Sequence, residues 1–463
     1  MIAIRPLCLW IFAILSVVGL DACAGGSSGA VPQASEPQPS SHSGSSPIQH
    51  VVLIVQENRS FNNLFAGFPN ATGTKVGKMR KNGKTVNVNL KQTNLEDPKT
   101  LNHTYSAYQT AYRGGKMDAF DLIKFQLSGR NEGTQPYQYV NPSQIQPYWQ
   151  AATIYALADK LFQTQGSGSF IAHQDLIRGG TAIDSNDSLV DDPTGNGAWG
   201  CDSSPGTRTS LITTSLQYLR DQGPYPCTSK FPSSGSYMTL QSLLDAKSIS
   251  WKYYTPPPVK GTIGALWNAF LVISSVYNNK SEWNAHISTP ETNILSDISN
   301  NALPQMSWVI PDAQNSDHPG YSSTDTGPSW VASIVNAVGQ SKYWSSTAII
   351  VVWDDWGGFY DPVAPPALDN QGGPGFRVPM IVISPYVPQN EVSHTVYEFG
   401  SIIKFVEDTW SLGRLGTTDG TCTSMVDMFN FSQSPRNFTK IPSSFSKSYF
   451  LRQKPSGLPV DTE

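Results

Sequence analysis

His50-Val51-Val52-Leu53-Ile54-Val55 runs straight into Gln56-Glu57-Asn58-Arg59-Ser60-Phe61, and Thr347-Ala348-Ile349-Ile350-Val351-Val352-Trp353 runs into Asp354-Asp355-Trp356-Gly357-Gly358. Both apolar runs are short, β-branched and without alternation, the pattern of a strand covered on both faces. Met306–Ile310 and Val378–Ser384 read the same way, and Ile249–Tyr254 more weakly. Met238–Ala246, Pro328–Val338 and Val396–Trp410 read as helices, the last with Ile402, Ile403, Phe405, Val406 and Trp410 at helical spacing. Strands separated by helices predict an α/β fold, a largely parallel central sheet with helices on both faces. Residues from about 181 to 235 lack this periodicity and are expected to form a long loop insertion.

Ligands of open α/β sheets bind at the carboxyl ends of strands. Acids placed there are costly to bury unless a cation or strong donors meet them. Glu57, Asn58, Asp354 and Asp355 are therefore candidate oxygen ligands for a hard divalent ion. The competing reading is helix capping or solvated loop charge. Gln165-Gly166-Ser167-Gly168-Ser169 leads toward a helix, whose first turn offers free N–H groups and the positive end of the dipole. A hydroxyl activated by a metal at that point would be a nucleophile. Read alone, Gly-Ser-Gly-Ser is more often a loop or a cap. His103, in Asn102-His103-Thr104, and His318, just past Met306–Ile310, are candidate proton donors. A lone histidine is more often structural.

Charged residues make up 14% of the 463, well below the roughly 25% of an average soluble protein. A net charge of -4 points to neither a nucleic acid nor an acidic-lipid partner. Arg5 followed by the apolar run Leu7 to Leu20 has the layout of a secretory signal covering residues 1–22, too short to span a bilayer. Leu20-Asp21-Ala22-Cys23 resembles a bacterial lipobox, so Cys23 is the expected lipid acceptor and the only expected membrane anchor. Plain cleavage after Ala22 or Ala24 is the alternative. Residues 23–47, rich in Ser, Gly, Pro and Gln, read as a tether, and 48–463 as the folded body. Export to the cell envelope or medium follows. In an oxidising compartment Cys201 and Cys227 are plausible partners.

Five segments, taken in order, resemble a known family. They are Glu57-Asn58-Arg59-Ser60-Phe61; Gly115-Lys116-Met117-Asp118-Ala119-Phe120; Asp354-Asp355-x-Gly357-Gly358-Phe359-Tyr360-Asp361-x-Val363-x-Pro365-Pro366; Gly375-x-Arg377-Val378-Pro379; and Ser393-His394-Thr395. Together they look like the bacterial phospholipase C and acid phosphatase family, on the alkaline-phosphatase and sulfatase-like superfold, over residues 48 to about 432. The resemblance implies a phosphoesterase. A divalent metal would be held by Glu57, Asn58, Asp354, Asp355 and a serine nucleophile, Ser169, with Ser167 in reserve. His103 and His318 would line the phosphate pocket. His394 falls in the Ser-His-Thr motif, with a lesser claim to contact. The implied substrates are small phosphate esters or phospholipids. Asn62, where relatives commonly carry Asp, and the Asp-Asp-Trp at 354–356, where some carry Asp-Glu-His, lean toward the acid-phosphatase branch. Two rivals stand beside this reading. A sulfatase or phosphonate hydrolase of the same superfold is one, though Ser169-Phe170-Ile171-Ala172-His173 lacks the Pro and Arg of a sulfatase motif. A glycan-binding surface lipoprotein using its Trp and Tyr residues is the other.

Overall fold

The computed structural model describes residues 46–194, 199–227, 237–321, 325–367, 369 and 372–459. The apolar leader, Cys23 and all but the last residues of the tether lie outside the described residues. Eight strands form the central sheet: β1 (His50–Gln56), β2 (Ala156–Ala158), β3 (Trp251–Tyr254), β4 (Ile287–Ser288), β5 (Met306–Val309), β6 (Thr347–Trp353), β7 (Met380–Ile383) and β8 (Glu391–Ser393). Their order across the sheet is β4-β3-β5-β1-β6-β7-β2-β8. β1 pairs in parallel with both β5 and β6, and β3 with both β4 and β5. β7 alone runs against its neighbours, antiparallel to β6 and to β2, while β8 is parallel to β2. The sheet is largely parallel, as the strand runs predict.

Two groups of helices cover it. Trp308 of β5 stands in register with Leu53 of β1, and Trp353 of β6 with Gln56. Positions an odd number apart on a strand point to opposite faces. Trp308 donates its indole N–H to Leu176 O in the Ser169–Arg178 helix. Trp353 meets Tyr148, from the Gln146–Ile154 helix, edge-on at 4.8 Å. Helical layers therefore lie on both faces, and this explains why the central strands read as unbroken apolar runs. Every residue of β6 is buried.

The short strands β2, β4 and β8 escape a reading from hydrophobic runs, having three, two and three residues. Within the stretch expected to be loop, Asp187–Val190, Ser210–Thr213 and Tyr218–Leu219 form a small antiparallel sheet. Cys201 and Cys227 in the same stretch are disulfide-bonded. No helix among the described residues is long and apolar enough to cross a membrane.

A buried ion pair ties the quoted segments together. Arg377 donates from Nε and Nη2 to the two carboxylate oxygens of Asp361, at 2.8 and 3.0 Å, with both side chains fully buried. Asp361 also accepts the backbone N–H of Asn62, and the guanidinium lies 4.6 Å from the Phe61 ring centroid. Removing one partner of such a pair strands the other charge, which costs about 3–5 kcal/mol. Arg377→Met is therefore expected to lower unfolding free energy by that amount in a denaturant titration, and adding Asp361→Asn should restore part of it. A loss below about 1 kcal/mol, the scale of an exposed pair, would refute this account of the segment junction.

Candidate active site

β1 and β6 are neighbours in register, so their carboxyl ends emerge side by side. Gln56 is level with Trp353, and Asp354 N–H donates to Gln56 O at 2.9 Å. The chain turns sharply at both exits. Asn58 adopts a positive φ of 47° and donates its backbone N–H to Asp354 Oδ1 at 2.9 Å. Gly357 follows at φ 60°, where a Cβ would sit 2.1 Å from Asn58 O. Only glycine permits that approach, which gives the Gly after the tandem acids its physical reason. Asp355 Oδ1 accepts the Gly357 N–H at 2.7 Å, leaving Oδ2 for the site.

The third contribution comes from the Ser169–Arg178 helix, every residue of which is buried. Ser169 and His173 are four residues apart and share a face. Ser169 Oγ–H donates to Asp355 Oδ2 at 3.0 Å, and Asn58 Nδ2 lies 3.3 Å from the same hydroxyl. Ser167, the other candidate hydroxyl, is turned elsewhere, its Oγ accepting the N–H of Asp191 at 2.7 Å. Gly166 packs under Tyr108, whose ring carbons would lie 2.3–2.5 Å from a Cβ. His103 reaches in from another loop. Its Nδ1 lies 2.7 Å from Leu101 O, a group that only accepts, so Nδ1 carries the proton and Nε2 faces the site. Nε2 lies 3.2 Å from Asn58 Nδ2 and 3.8 Å from Asp355 Oδ2.

Glu57, Asn58, His103, Ser169, Asp354 and Asp355, chosen from widely separated segments, thus meet in one place. His318 is held by different partners. Its Nδ1 lies 2.8 Å from Pro319 O, and its ring packs on Tyr321 and on Trp267, which also stacks on His173. His394 is half-exposed and bonds Asp159 Oδ2 at 2.9 Å, an acid that also holds Thr72.

Two residues of the site were not singled out from the sequence. His173 Nε2 lies 2.9 Å from Glu57 Oε1 and 3.8 Å from Asp354 Oδ2. The Ser-x-x-x-His spacing at the head of a helix carried that signal. Asp192 accepts the N–H of Phe170 at 3.2 Å in the first turn of the helix, and desolvation pushes its carboxyl up to about 7 against the pull of His103. It sits in a polar loop with no local pattern to mark it.

The residues present fit a cation. Ligating atoms of Glu57, His173 and Asp354 all lie within 4.8 Å of one another, and all three side chains are buried. Glu57 Oε2, Asp354 Oδ2 and His173 Nδ1 are buried with no hydrogen-bond partner. Burial first, and then the neighbouring carboxylates, hold the carboxyls of Glu57 and Asp354 well above their ordinary range; the same causes push Asp355 up to about 7. Among the described residues no lysine or arginine pairs with them. Crowded acids without a counter-charge, joined by one imidazole, form an oxygen and nitrogen donor set suited to a divalent ion.

The Phosphoesterase family profile matches residues 48–413. The chain is 24% identical to a non-hemolytic phospholipase C of Pseudomonas aeruginosa, over 85% of this chain and 59% of that protein. It is 26% identical to phospholipase C B of Mycobacterium tuberculosis, over 43% of this chain and 44% of that protein. The chain thus spans at most about three-fifths of the length of these relatives. Among solved structures it is similar to a protein in the alkaline phosphatase superfamily from Vibrio parahaemolyticus, with 10% identity, a TM-score of 0.37, and coverage of 83% of this chain and 72% of that one.

Asp354→Asn removes one of the crowded charges and keeps an oxygen for the Asn58 N–H. In chelator the variant should melt above wild type, by about 1–3 °C. Adding a divalent ion should then raise the wild-type midpoint far more than the variant's. Equal metal-induced shifts in the two proteins would remove Asp354 from the ion site.

Proposed function

The chain belongs to the Phosphoesterase family, and from that premise we propose that it hydrolyses phosphate esters through a serine nucleophile beside a divalent ion. The observation that carries this reading is the single hydroxyl, Ser169 Oγ, set between Asp355 Oδ2 and the Asn58 amide at the head of a helix. Glu57, Asp354 and His173 would hold the ion, with Asn58, Asp355 and Ser169 alongside. Such an ion supplies positive charge that neutralises the acids, favours the alkoxide form of a serine and offsets charge on phosphoryl oxygens.

The chain's own groups do the rest. Asp355 orients the Ser169 hydroxyl and takes its proton as the oxygen attacks phosphorus. Asn58 Nδ2 is placed to donate to a phosphoryl oxygen as negative charge accumulates there. His103, with its Nε2 turned inward by the Leu101 carbonyl, enters the step as an imidazolium and transfers its Nε2 proton to the departing alkoxide. The bond from phosphorus to the leaving oxygen breaks, the alcohol departs, and the phosphoryl group stays on Ser169 Oγ. Water then attacks phosphorus and gives a proton to His103, the bond between phosphorus and Ser169 Oγ breaks, and Asp355 returns its proton to the serine oxygen. His318 acts at a distance in this reading, positioning Trp267 against His173. The substrate is a small phosphate ester or a phospholipid, and the apolar leader supports an exported site of action.

Ser169→Ala and Asp354→Asn are each expected to lower turnover of a chromogenic phosphate ester by at least about 10³-fold with the fold intact by circular dichroism. His103→Ala should cost about 10²–10⁴-fold. Wild-type turnover in Ser169→Ala would overturn the nucleophile. Comparing phosphatidylcholine with simple phosphomonoesters, before and after chelation, identifies the ester class.

A further inference from the structure

Net charge conceals how unevenly the charge is distributed. Between Glu57 and Glu96 the chain holds no acid, yet Lys75, Lys78, Arg80, Lys81, Lys84 and Lys91 fall there. The structure places Lys78, Arg80, Lys81 and Lys84 on one hairpin, Val76–Lys81 paired antiparallel with Lys84–Asn89, with Lys75 just before it and Lys91 just after it on a separate strand paired with Gln138–Val140. Strand alternation sorts its two faces. Gly77 packs inward against Tyr137, Leu90 and Tyr360, and Met79 and Val88 join the same cluster. Val76, 46% exposed, and Lys78 fall on the other face, paired with Asn89 and Asn87, whereas Lys81 and Lys84 pair at the tip on the Gly77 and Met79 side, both exposed. Arg80 is engaged by Asp118, at 3.9 Å. Among the described residues, none of the five lysines pairs with a carboxylate, and all five are exposed.

The hairpin is also joined to the candidate site. Lys78 N–H donates to the Tyr360 hydroxyl, and Tyr137 donates to Lys78 O. Tyr360 belongs to the loop that carries Asp354 and Asp355. We propose that this lysine hairpin is a docking surface for an anionic lipid bilayer, which it engages through the head-group phosphates. The choice of lipid over another polyanion rests on the phosphoesterase reading and on two features of the hairpin. It contains no aromatic residue on which a nucleic-acid base would stack. Its outer face carries an apolar side chain, Val76, beside Lys78. Lysines near an anionic membrane each strengthen binding by roughly fivefold, within a Debye length of the surface.

The test uses the full chain carrying Cys23→Ser, so that no acyl group contributes, and reads sedimentation with vesicles. Vesicles of phosphatidylcholine with one part in three phosphatidylglycerol are compared with phosphatidylcholine alone. The ratio of the two partition coefficients reports charge-driven docking and cancels apolar binding common to both. The expected result is a strong preference for anionic vesicles that falls as salt is raised. Lys78→Gln, Lys81→Gln and Lys84→Gln together should cut that preference by about 100-fold. Turnover of a soluble phosphate ester should be unchanged in the triple variant, and this shows that it is folded. No anionic preference in the parent, an undiminished one in the triple variant, or tighter binding to a single-stranded oligonucleotide than to anionic vesicles would each overturn the proposal. Docking is read without turnover, so its failure is separate from failure of the phosphoesterase reading.

Discussion

Glu57, Asp354 and Asp355 are fully buried within one small volume, and carboxylates so placed repel one another at low dielectric. Burial alone raises the cost of ionising each, and proximity adds to it. Such a cluster persists because the surrounding fold over-determines it and because a divalent ion would convert repulsion into coordination. The rest of the architecture can be read as the apparatus that holds these acids together.

That apparatus begins with register. β1 and β6 are level at their ends, so Glu57 and Asp354 leave adjacent strands at one height. Two tight turns, at Asn58 and Gly357, then interlock so closely that a single methyl group would collide with a carbonyl. Behind them the Asp361–Arg377 pair joins the third and fourth sequence motifs, and it meets the first through the Phe61 ring and the Asn62 N–H. Phe120, of the second motif, packs on Trp356, Tyr360 and Phe376, so the aromatic cluster ties the same loops from the other side. Motifs far apart in the chain are therefore one mechanical unit around the site.

The Ser169–Arg178 helix completes the site by offering two different groups on one face. Ser169 meets Asp355 and Asn58, while His173, one turn on, meets Glu57 and Asp354. The lysine hairpin extends the same loop system outward through Tyr360. The candidate site and a charged surface are thus carried by one connected set of loops on a rigid sheet, the arrangement expected when function is grafted onto a scaffold.

The sequence by itself determined the sheet, because strands covered on both faces must be apolar throughout and this shows in HVVLIV and TAIIVVW without any structure. It also determined that oxygen-bearing side chains stand at two strand ends, and the family resemblance implied Ser169, His103 and His318. It said little about β2, β4 and β8, whose pairing rather than composition makes them strands. Only the tertiary structure decided that His173 joins Glu57 and Asp354, that Ser167 Oγ accepts from Asp191, and that His318 and His173 both pack on Trp267. Only it showed that scattered lysines share one hairpin. The reason is physical: periodicity encodes which face of an element is buried, whereas the meeting of side chains from distant segments depends on register and packing, which no local pattern records.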